Sequence, residues 1–103
     1  MSANYPFTLR LKEARVAANL SQKDLGILIG IEPSSASGRM NHYEKGRHLP
    51  DIQTLKRLSE ALDVPLSYFF CESEEMAELV KLINQLDKEK QIQLIKKIRE
   101  FLE

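Results

Sequence analysis

The spacing of apolar residues restricts this chain more than any other feature. Leu25, Leu28 and Ile29, then Ala36, Met40 and Tyr43, then Leu55, Leu58 and Leu62 recur at intervals of three and four. No useful length alternates with a period of two, so the pattern specifies helices and excludes a sheet. The helix boundaries are also written in the sequence. Thr8–Ala18 reads as a first helix, with Leu9, Leu11, Ala14 and Ala18 inward and Arg10, Lys12, Glu13 and Arg15 on the outer face. Ser21 can cap a second helix, with Asp24 in its first turn and Gly30 in the left-handed conformation at its end. Pro33 suits the first turn of a third helix, because its missing amide would be unpaired there in any case. Gly46 ends that helix. Asp51 caps a fourth, running to Leu62 with Ile52, Leu55 and Leu58 buried, and Val64-Pro65 opens a short fifth over Leu66–Phe70.

After Cys71 the aromatic residues thin out to Phe101 alone. Ser73 can cap a helix to about Leu86 with a stripe of Met76, Leu79, Ile83 and Leu86, and a second stripe of Ile92, Ile95, Ile98 and Leu102 follows. The pair reads as an αα-hairpin appended to a five-helix unit. The division expected is therefore residues 1–71 and 72–103. A chain of 103 residues is too short for two large cores. The hairpin's apolar stripes need cover, either from a second copy, from another protein or from the first unit; pairing of two copies is the expectation adopted.

Composition removes several function classes. The single cysteine, Cys71, cannot form an intrachain disulfide, which with the absence of a signal-peptide pattern implies a reduced, cytoplasmic setting. No run approaches the length of a membrane span. His42, His48 and Cys71 lack metal-ligand spacing, and no nucleophile-elbow or phosphate-cradling glycine motif is present. No enzyme activity, metal, cofactor or small-molecule ligand is expected. The formal net charge is zero, but charge is unevenly placed. Residues 1–47 hold seven bases (Arg10, Lys12, Arg15, Lys23, Arg39, Lys45, Arg47) against four acids (Glu13, Asp24, Glu32, Glu44), whereas residues 71–103 carry eight acids and six bases. The N-terminal part is the one suited to phosphate.

Two short helices joined by a tight glycine turn make a helix-turn-helix, whose second helix enters a major groove about 12 Å wide. The outward face of the third helix suits that task. It shows Ser34, Ser35, Ser37, Gly38, Arg39, Asn41 and His42, small or hydrogen-bonding groups where a merely solvated helix would carry Glu and Lys. Arg39 can pair with guanine and Asn41 with adenine, although either can instead hold a phosphate. Gly38 would let the DNA come close to the backbone. Ser21, Gln22, Lys23, Lys45 and Arg47 are the candidate phosphate contacts.

At these residues the chain resembles the phage-repressor-like, Xre or Cro/CI-type, helix-turn-helix regulators. The matching runs are SQKDLGILIGI (21–31) and NHYEKGRHLPDIQTLKRLSEALDVPLSYFF (41–70). The resemblance implies an all-α, lambda-repressor-like five-helix domain, and a regulator that binds double-stranded DNA at a palindromic operator as a homodimer. It also implies an Arg15–Glu44 pair and a role for Gln22 in supporting a recognition side chain. Gly26 replaces the family's usual Ala, a small-for-small exchange. Gly30 and Glu44 lie four residues further apart than in most members, about one extra helical turn. The segment SASGRMNHYEKGRHLPD (35–51) is similar to restriction–modification controller proteins. The competing reading is an interaction module, such as an antitoxin that neutralises a partner protein through the hairpin.

Overall fold

The computed structural model describes residues 5–103; the first four residues of the N-terminal unit lie outside the described residues. Among these, all regular structure is helical: α1 (Phe7–Ala17), α2 (Gln22–Leu28), α3 (Pro33–Glu44), α4 (Ile52–Leu62), a short 3-10 helix (Leu66–Phe70), α5 (Glu74–Asn84) and α6 (Lys88–Leu102). The molecule measures 52 × 30 × 23 Å.

The caps foreseen from sequence are in place. Backbone amides donate to Ser21 Oγ (from Asp24, 2.9 Å), Asp51 Oδ1 (from Thr54, 2.8 Å) and Ser73 Oγ (from Met76, 3.1 Å). Asp87 adds a fourth on α6, accepting from Lys90 at 2.8 Å. The bond from the Thr54 amide also holds the Asp51 carboxyl below its ordinary pKa. Gly30 and Gly46 close α2 and α3 at φ +93° and +76°, in the left-handed region.

The core gathers Leu11, Leu25, Ile29, Met40, Leu55, Leu58, Tyr68 and Phe69, with the Phe7 and Phe69 rings 5.7 Å apart. Four expected inward positions are exposed instead. α1 begins one residue early, so its inner stripe is Phe7, Arg10, Leu11 and Ala14 (i, i+3, i+4, i+7), which turns Leu9 and Ala18 to solvent. Leu28 is exposed because Leu25 and Ile29, four apart, already define the inner line of α2. Ile52, at the first position of α4, lies outside the stripe Leu55–Leu58–Leu62. Of the three aromatic residues following Leu66, Tyr68 and Phe69 close the core while Phe70 is about half exposed. The fifth helix is thus a 3-10 turn that uses two rings of three.

The largest correction concerns Arg10, expected on the outer face and found fully buried. Its Nε donates to the Cys71 carbonyl at 2.9 Å, and Nη1 donates to Glu13 (3.0 Å) and Glu74 (3.1 Å). The Tyr68 hydroxyl donates to the same Glu13 oxygen at 2.6 Å. Burial works against the Arg10 charge, but the bonds to Glu13 and Glu74 outweigh it and raise its pKa. Burial likewise opposes ionisation of Glu13, yet the bonds from Tyr68 and Arg10 hold its carboxyl below the ordinary value. Burial and then the Glu13 carboxylate push the Tyr68 hydroxyl up. One side chain therefore fastens α1 to the 3-10 helix and to the start of α5.

α5 joins the core through Ala77, with Val80 packed against it, while its predicted stripe residues Met76 and Leu79 are exposed. Gln91 at the start of α6 donates to the Ile83 carbonyl at 3.0 Å. Beyond that turn α6 buries no residue, and Ile92, Ile95, Phe101 and Leu102 are all exposed.

Candidate nucleic-acid interface

α2 and α3 pack closely because Gly26 has no side chain. A Cβ built there would lie 2.7 Å from Ala36 Cβ and 2.9 Å from its Cα and carbonyl oxygen, closer than real Cβ atoms come. The exchange of Ala for Gly is therefore larger in effect than the similar sizes suggest, since it sets the distance between the two helices. Ala36, Met40 and Tyr43 form the inner stripe of α3, as the spacing specified. That stripe fixes the rotation of α3 and leaves Ser34, Ser35, Ser37, Gly38 and Arg39 exposed on one side. Nothing lies within 4 Å of a Cβ built on Gly38, so this stretch of backbone is open to approach.

Asn41 and His42 are half-buried at the C-terminal end of the same face. The His42 ring lies 5.6 Å, centroid to centroid, from that of His48 in the following loop, a contact the sequence did not announce. Arg15 and Glu44 form the expected pair, with Nε donating to Oε2 at 2.6 Å and Nη2 to Oε1 at 3.1 Å. Arg15 also donates to the Leu20 carbonyl at 2.9 Å, so the loop before α2 is tied to the same pair. Gln22 Nε2 donates to Glu44 Oε1 and Asn41 Oδ1, each at 3.3 Å. The start of α2 and the end of α3 are thereby locked to α1 through side chains.

The phosphate candidates fall into two groups. Lys23, Lys45 and Arg47 are exposed. Ser21 and Gln22 are engaged within the protein, the hydroxyl as a cap and the amide with α3. Among the described residues, no group of three or more His, Cys, Asp or Glu could hold a metal, and no helix is long and apolar enough to cross a membrane.

A helix-turn-helix family model matches residues 11–69, spanning α1 to the 3-10 helix. This chain belongs to the helix-turn-helix family of the Cro/CI type. Its relatives are regulators. It is 31% identical over 87 residues to the cryptic phage CTXphi transcriptional repressor RstR of Vibrio cholerae serotype O1, covering 80% of this chain and 74% of the repressor. Its fold matches the crystal structure of the transcriptional regulator BswR with a TM-score of 0.84 and 42% identity, over 90% of this chain and 92% of BswR. The match to BswR extends well past the helix-turn-helix domain, so this family member shares the C-terminal helices too. The helix-turn-helix protein described here is a transcriptional regulator of the repressor type, a DNA-binding class rather than an enzyme class.

Proposed function

We propose that this regulator binds a palindromic operator as a homodimer, with α3 of each copy in a major groove. The observation that carries the reading is the outward face of α3. It is small, hydrogen-bonding and free of large apolar groups from Ser34 to Arg39, on a helix whose rotation is fixed by three buried residues. Ser34, Ser35, Ser37, Arg39, Asn41 and His42 meet base edges. Lys23, Lys45 and Arg47 hold phosphates, and the Ser21–Gln22 segment contributes backbone rather than side-chain donors.

Residues 1–71 act as the DNA-binding unit and 72–103 as the dimerisation element. What supports the second assignment is the exposed apolar line on α5 and α6, which a second copy can cover. Two-fold pairing places the two α3 helices about one turn of DNA, roughly 34 Å, apart. The run from Ser35 to Asp51 and the extra C-terminal helices favour a controller-like member of the family.

Selection of bound sequences from a random DNA pool at two salt concentrations tests this. An inverted-repeat consensus, with affinity falling steeply as salt rises, is the expected result. No consensus at either salt, together with a tight heteromeric partner on the C-terminal helices, would replace it with the interaction-module reading.

A further inference from the structure

α5 has two apolar faces. Ala77 and Val80 pack on the core, while Met76, Leu79 and Leu82 form a second line that is exposed. α6 does not cover that line. It meets α5 at the joining turn, where Gln91 bonds to the Ile83 carbonyl, and does not pack along it. At 100° per residue, Ile92, Leu94, Ile95, Ile98, Phe101 and Leu102 spread over about half the circumference of α6. A two-helix seam uses a narrower stripe, so such an arc takes cover from more than one helix. Charge separates the two helices as well. α5 has three acids and one base; Glu74 faces Arg10 and Lys81 lies over the Tyr68 ring, which leaves Glu75 and Glu78 as its outward charges. α6 has five bases and two acids, with Lys96 and Lys97 bordering its apolar arc on either side.

We propose that two copies of this chain exchange these helices: α6 of each lies on the outer line of α5 of the other, and the four form one bundle. Both faces are apolar and uncovered in the single chain. Their borders are complementary, Glu75 and Glu78 on one against Lys96 and Lys97 on the other, all four exposed. Pairing α6 with α6 would instead set five bases against five, and like charges brought together cost affinity. A helix of 15 residues without tertiary packing is also marginal in water, so the exchange stabilises α6 itself as well as the dimer. The inference rests on the dimerisation reading above and specifies which helix meets which.

The test uses the full chain at low salt, where charges are least screened, with dimerisation measured by sedimentation. Glu75→Lys with Glu78→Lys makes α5 basic, and Lys96→Glu with Lys97→Glu makes α6 acidic; each variant is first shown to keep its helical content by circular dichroism. Alone, each should dimerise roughly ten-fold more weakly than the wild type, because the exchange sets like charges together at both contacts. Mixed in equal amounts, the two should recover wild-type affinity as a heterodimer, seen by native mass spectrometry, since each contact then joins opposite charges. Leu79→Asp, which alters α5 alone, should also yield monomers, and it decides by itself should a charge variant lose its helices. A mixture with no excess of heterodimer would overturn the exchange while leaving dimerisation standing. So would a dimer that Leu79→Asp leaves intact, or an acidic-α6 variant that pairs more tightly than the wild type. A wild-type chain that stays monomeric at every concentration would overturn both.

Discussion

α3 and α6 both present a long face outside the core, and the two faces are made of opposite materials. α3 shows Ser34, Ser35, Ser37, Gly38 and Arg39; α6 shows Ile92, Ile95, Ile98, Phe101 and Leu102. Water satisfies the first face fully, so it loses little by standing free and can exchange water for base edges and phosphates. It cannot satisfy the second, where each buried square ångström of apolar surface would contribute about 25 cal/mol. Exposure alone therefore says nothing about the partner. The atoms exposed do: one face suits a polar polymer with a groove, the other a protein surface of the same kind.

Arg10 connects the part of the molecule that carries α3 to the part that carries α6, and its loss has the largest expected effect. Arg10→Ala should destabilise the fold by about 3 kcal/mol, the lower end for a broken buried pair because Glu13 and Glu74 still reach water. Chemical denaturation measures it, and Arg10→Met should recover part of the loss by refilling the space. Next comes a direct attack on the apolar face. Ile95→Asp combined with Ile98→Asp should yield monomers by sedimentation and weaken operator binding by about a hundred-fold or more, the avidity lost with one half-site. Its melting temperature should fall to that of the separated chain and lose its dependence on protein concentration, since α6 buries nothing within the single chain and pairing is what it would contribute. An unchanged dimer would break the contrast between the two faces.

Smaller effects sharpen the polar side. Gly26→Ala should cost about 1–3 kcal/mol by overpacking against Ala36, read from thermal melting. Gly38→Ala should do the reverse, stabilising the fold by about 0.5–1 kcal/mol in open space while weakening DNA binding where the backbone approaches the groove. The smallest effect is on pH dependence. Because the folded-state pKa of Glu13 is depressed, its contribution is full above the unfolded value of about 4.3 and is lost as pH falls through the lower folded value. Stability of the wild type should thus fall more steeply below that pH than that of Glu13→Gln, in paired denaturation series.

The inner stripe of α3 was readable because Ala36, Met40 and Tyr43 obey the helical period and nothing competes with them for the interior. The caps were readable because Ser21, Asp51 and Ser73 act within one turn of their own position. Arg10 was not, although it stands three residues after Phe7 and one before Leu11, on the stripe itself. A charge is tolerated there because Glu74 and the Cys71 carbonyl, more than 60 residues along the chain, join the local Glu13 in meeting it. The consequence of Gly26 was hidden for a similar reason, since the obstacle to a larger residue belongs to another helix. Asn41 could be named as a candidate from its side chain, but its orientation depends on Gln22 and Glu44 from two separate elements.

The most direct measurement compares Arg39→Ala with the wild type on every single-base variant of the selected operator, with Lys23→Ala as the reference. If the outer face of α3 reads bases, loss of Arg39 costs about 1–3 kcal/mol on the operator and flattens the preference at one symmetric pair of positions. Lys23→Ala should weaken all sequences alike. An Arg39 variant that binds every sequence with a uniformly reduced affinity, or as tightly as the wild type, would contradict the account.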